Sequence, residues 1–117
     1  MFDTVNHPRH YNLHPSGIEC IEITRLCQFD MGNAVKYIWR HADKNGDEDL
    51  RKARFYLKDL LATGQASHPP YKAKVLLQRA IEADHHAIRG NLLGGILSGR
   101  IEGVIRFITS IVGEEDV

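Results

Sequence analysis

Five residues in the first half of this 117-residue chain have the types and spacing for anion chemistry: Asn33, Lys36, Tyr37, Arg40 and Lys44. Wound at ~100° per residue they share one helix face, with Val35, Ile38, Trp39 and Ala42 opposite. A guanidinium grips phosphate oxygens through two parallel hydrogen bonds and an ammonium acts as a point charge, while an amide and a phenol add directional bonds. The pattern predicts a phosphate or nucleotide clamp; the plainer reading is a solvated helix face. Farther on, Asp49, Lys52 and Tyr56 align at i, i+3 and i+7. There the plainer reading is a pair of i, i+4 ion pairs, Glu48 with Lys52 and Asp47 with Arg51, each contributing tenths of a kcal/mol.

The elements that must hold these groups are a helix, a tight turn and a second helix over 33–61. Asn45-Gly46 supplies turn backbone at low steric cost, and Asp47, Glu48 and Asp49 place negative charge beside the free amides of the next helix. That second helix repeats Leu50, Ala53, Leu57, Leu60 and Leu61 at the spacing of one buried stripe. Upstream, Ser16 and Glu19 read as the capping box of a helix running to about Gln28, with Asp30 able to cap its successor. Downstream, Gly64 and the Pro69-Pro70 pair mark a linker. Ala73, Leu76, Leu77, Ala80, Ile81, Ala87 and Ile88 predict one long amphipathic helix ended by Gly90-Asn91, LLGGILSG a broken helix, and Ile101, Val104, Ile105, Ile108, Ile111 and Val112 a last helix. The expected fold is all-α: residues 1–63 with an irregular N-terminal arm, and a C-terminal helical extension, 70–117, packed on them as one unit.

The arm, MFDTVNHPRHYNLHPSG, carries His7, His10 and Tyr11. Two histidines three apart suit zinc, but no cysteine or carboxylate sits at matching spacing. Stacking on a base, bonding to phosphate, or packing against Glu19 fits better. Glu82, Asp84, His85 and His86 make a second polar cluster, in which Glu82 and His86 at i, i+4 have the spacing to hold a divalent ion, but which reads first as the wet face of a helix. Glu19 and Glu22 resemble half of the paired acidic motif with which all-helical nucleotide hydrolases hold magnesium, but Glu48 and Asp49 are adjacent rather than spaced as the second pair.

The bulk composition bounds the rest. Fifteen basic residues balance fifteen acidic ones, which argues against a general nucleic-acid coat or a membrane-surface protein and leaves room for a local anion site. No apolar run approaches the ~20 residues of a membrane span, and the first residues lack the apolar segment of a secretory signal. Cys20 and Cys27, two turns apart on one predicted helix, are too distant for a mutual disulfide and read as reduced thiols. A cytoplasmic protein is expected.

Taken together, NHPRHY, SGIECIE, GNAVKYIWRH and KNGDEDLRKARFYL resemble, in order and spacing, the SaV-like phage family, a domain of unknown function that includes a phage nucleotide kinase. The resemblance covers about residues 6–61 and rests on Asn6, His7, Pro8, His10, Tyr11, Gly17, Ile18, Glu19, Asn33, Lys36, Tyr37, Arg40, Lys44, Gly46, Asp49, Leu50, Lys52, Ala53, Tyr56 and Leu57. It implies phage origin, action in the infected bacterial cytoplasm and, for some relatives, phosphoryl transfer to deoxynucleoside monophosphates without a Walker motif. On that reading His10, Lys36 and Arg40 serve catalysis, with His7, Tyr11, Asn33, Tyr37 and Lys44 joining them around the nucleotide. Glu19, Asp49, Lys52 and Tyr56 support, the ligand is a nucleotide with magnesium as a candidate cofactor, and no residue is assigned as a metal ligand. Two rivals stand beside it. One is an effector that binds and inhibits a host defence protein or nuclease through the apolar face of the last helix, a face that also suits a homo-oligomer. The other is a magnesium-dependent helical nucleotide hydrolase.

Overall fold

The computed structural model describes residues 14–43 and 45–115. They form six helices: α1 Cys20–Thr24, α2 Phe29–His41, α3 Gly46–Ala62, α4 Tyr71–Ala83, α5 Ala87–Leu97 and α6 Ile101–Val112. The described residues are all-α, as expected.

The α2–α3 hairpin is the scaffold. Val35, Ile38 and Trp39 of α2 are buried with Leu50, Ala53, Leu57 and Leu60 of α3, whereas Leu61, assigned to that stripe, is exposed. Gly46 opens α3 at φ 48°, a left-handed conformation that glycine adopts without strain. The tail wraps this scaffold, with α6 against α3, α5 against α2 and α6, and α4 against α1 and α5. Ile101, Val104 and Ile108 of α6 are therefore buried within the fold. Ile105, the fourth residue of the face expected to seek a partner, is half-buried. Gly95 sits where α5 crosses α6, and a Cβ there would collide with a Val104 methyl.

Two boundaries differ from expectation. The first helix has only five residues, and its capping box is Glu19 with Glu22 rather than Ser16 with Glu19. Ser16 is drawn away because its hydroxyl bonds His14 Nδ1 at 2.7 Å and accepts the amide of Ile18. Cys27 thus lies beyond α1, and both cysteines are free. Asp30 caps nothing; it sits in the first turn of α2, buried, with Gln65 Nε2 donating to it at 2.7 Å. The second difference is a break in the long helix at Asp84, whose backbone is extended, while α5 runs unbroken through Gly90, Asn91 and both glycines of LLGG. Asp84 accepts the amide of His86, and His86 Nδ1 accepts the amide of Arg89, so a new helix starts before the old periodicity ends.

Arginines bind the tail to the hairpin. Arg54, fully buried on α3, donates to Thr109 Oγ1, Gly113 O and Glu115 O at 2.9, 2.6 and 3.0 Å. Arg51 donates to Val112 O at 3.2 Å rather than pairing with Asp47. Both place positive charge at the carbonyl end of α6, where the helix dipole favours it.

Candidate functional site

Lys36, Tyr37 and Arg40 stand on one face of α2 beside Lys52 and Tyr56 of α3, and the Tyr37 ring is their centre. Lys36 Nζ lies 4.7 Å from its centroid, Lys52 Nζ 5.4 Å and the Arg40 guanidinium carbon 5.7 Å. Tyr56 stacks parallel to Tyr37 at 6.0 Å and meets Phe29 and Phe55 edge-on at 5.8 and 5.3 Å. The electron-rich ring attracts each of the three cations against their mutual repulsion. Lys52 also pairs with Glu48 at 3.6 Å, the expected i, i+4 contact.

Behind this face lies a buried carboxylate. Asp49 is fully buried, and among the described residues neither of its oxygens has a hydrogen-bond partner. Among the described residues its counter-charge is Arg40, with Nε at 3.8 Å and itself without a hydrogen bond. Asp49 thus faces the Nε edge of the guanidinium rather than its two terminal nitrogens.

Asn33 joins a neighbouring feature instead. Its Nδ2 donates to Phe29 O at 2.9 Å, and with Lys36 it lines a groove of about 360 Å³ between α1 and α2, whose other walls include Ile21, Arg25, Gln28 and Phe29. Those four were not legible as site residues, because Gln28 and Phe29 look like a helix boundary. Glu19 and Glu22 are occupied in capping: Glu22 Oε2 accepts the amide of Glu19 at 2.7 Å, and the Glu19 side chain accepts the amide of Glu22. His7, His10, Tyr11 and Lys44 lie outside the described residues.

A second polar cluster joins the halves. Arg89, buried, clamps Asp84 with two bonds of 2.8 and 2.9 Å, donates to Trp39 O at 3.3 Å, and meets Asp43 at 3.5 Å. His14 packs on Trp39 with centroids 4.4 Å apart, and its Nδ1 accepts the amide of Ser16, which turns Nε2 toward Asp84 at 3.5 Å. Burial lowers the pKa of His14, with the Arg89 charge adding to it; burial likewise lowers that of His41, whose Nδ1 donates to Ile38 O and whose ring meets His86 edge-on. Burial works to raise Asp84, yet the bonds from Arg89 and the His86 amide hold it below the usual carboxylate range. Asp84 and His86, first read as a wet helix face, are structural. Among the described residues no three His, Cys, Asp or Glu side chains gather as a metal site.

The comparisons bear on the same half. Residues 5–58 match the model of a family described as proteins of unknown function, DUF3310. The matched stretch contains Asn33, Lys36, Tyr37, Arg40, Asp49, Lys52 and Tyr56, and ends within α3. No curated protein and no solved structure matches the chain. Nor, among the described residues, is any helix long and apolar enough to cross a membrane.

Proposed function

We propose that this protein binds a nucleotide through its phosphate on the α2–α3 face. The observation that carries the reading is the gathering of Lys36, Arg40 and Lys52 around Tyr37, with Asp49 facing the Nε edge of Arg40. Phosphoryl transfer consists mostly of positioning and of neutralising charge on equatorial oxygens, which one guanidinium and two ammoniums supply. Together with the SaV-like resemblance of residues 6–61, this supports a phage-encoded deoxynucleoside monophosphate kinase acting in the bacterial cytoplasm. Magnesium would arrive with the donor nucleotide.

The rivals draw less support. The effector and homo-oligomer readings relied on the face of Ile101, Val104, Ile105 and Ile108, of which Ile105 is half-buried and the other three are buried inside the fold. The hydrolase reading relied on Glu19 and Glu22, which cap α1. A thermal-shift screen of mono-, di- and trinucleotides, followed by a coupled assay for diphosphate formation, tests the proposal. The expected result is stabilisation by deoxynucleoside monophosphates that Lys36→Ala removes. Equal responses of wild type and Lys36→Ala across the panel would refute it.

A further inference from the structure

We infer that the groove between α1 and α2 receives the base of a nucleoside 5′-monophosphate, a reading that rests on the phosphate site proposed for the neighbouring face. Lys36 joins the two features, since it lines the groove while its Nζ sits over Tyr37 among the phosphate-binding cations. The volume of about 360 Å³ is that of a small-ligand cleft. Phe29 and Ile21 are 73% and 51% exposed on its walls, a costly arrangement for large apolar side chains and a useful one for a flat heterocycle. Phe29 is held by its edge contact with Tyr56 at 5.8 Å, so the ring is positioned by the same aromatic cluster that carries the cations.

The polar groups of the groove match a base edge. Gln28 brings an amide with both donor and acceptor, and Asn33, whose Nδ2 is committed to Phe29 O, keeps its carbonyl oxygen as an acceptor. Arg25 stands at the rim with Nε bonded to Ile21 O at 3.2 Å, leaving its terminal nitrogens to the ligand. Apolar walls with few directional groups, next to a cationic face, suit a base-bearing phosphate better than inorganic phosphate or a sugar phosphate.

The test is calorimetric titration of the full chain with two probes, deoxyribose 5-phosphate and the tightest binder among four deoxynucleoside 5′-monophosphates. The nucleotide should bind wild type at least ten-fold more tightly. Phe29→Ala, at a position 73% exposed, should bring the two affinities together by weakening the nucleotide far more than deoxyribose 5-phosphate, and Gln28→Ala should narrow the gap in the same way. Lys36→Ala should weaken both. If Phe29→Ala and Gln28→Ala leave the ratio unchanged while Lys36→Ala weakens both probes, the phosphate site stands and the base groove falls. If neither probe binds wild type, both fall.

Discussion

Arg89 and Arg40 are both partly or fully buried arginines facing a buried aspartate, yet their surroundings differ. Arg89 spends its donors on Asp84, Trp39 O and Asp43, and Asp84 is also bonded by the His86 amide. Arg40 meets Asp49 only at 3.8 Å, and among the described residues three polar atoms of that pair lack any hydrogen bond. Folding rarely leaves buried polar atoms unpaired unless something else needs them. The cluster around Arg89, in which His14 Nε2 has no hydrogen bond among the described residues, joins the hairpin to the tail; the Arg40 pair lies behind the face proposed to take the phosphate.

The strongest way to break this comparison is Arg89→Ala. It strands Asp84 in the interior and should cost about 3–5 kcal/mol in chemical denaturation, the range for a broken buried pair. A loss below ~1 kcal/mol would show that the cluster is not what joins the halves. Arg40→Ala comes next. The sequence alone suggests an exposed residue whose removal spares stability, but Asp49 lies behind it fully buried. The variant should lose roughly 1–3 kcal/mol as well as ligand binding. Adding Asp49→Asn should restore stability and leave binding lost, which separates the two roles. Lys36→Ala, whose ammonium has no buried partner among the described residues, should stay within about 0.5 kcal/mol of wild type.

Acid sharpens the comparison in a graded way. His14 and His41 have folded pKa values below the ordinary 6.5, so the unfolded chain takes up protons first as pH drops. The melting temperature should be level from pH 8 to 7 and decline below about 6.5. The contribution of Asp84, held below 3.8 in the fold, persists above that value and is lost as pH falls through its folded pKa. His14→Phe should flatten the first limb, as measured by scanning calorimetry in a pH series. The smallest effect concerns the thiols. Burial pushes Cys20 up to about 12 and Cys27 up to about 11, so neither is a thiolate at pH 8. A thiol reagent should react with both rapidly only in denaturant.

The hairpin was legible because local and global signals agree there: Asn45-Gly46 turns the chain, three acids open α3, and one apolar stripe closes it. The break at Asp84 was not, because Ala80, Ile81, Ala87 and Ile88 keep a helical period straight through it. What stops the helix is Arg89 capturing Asp84, a choice made by the tertiary cluster. The face of Lys36, Tyr37, Arg40, Lys52 and Tyr56 could be drawn from spacing alone. Its inner carboxylate was visible only as one of three acids in a first turn. Which of Asp47, Glu48 and Asp49 turns inward depends on the packing of α3 against α2, and only Asp49 does so.

Amide chemical-shift mapping of the full chain on titration with a deoxynucleoside 5′-monophosphate tests the central claim most directly. The account predicts saturable shifts concentrated between Gln28 and Arg40 and between Asp49 and Tyr56, and their loss in Lys36→Ala. Shifts confined to α5 and α6, or a pattern unchanged by that substitution, would contradict it.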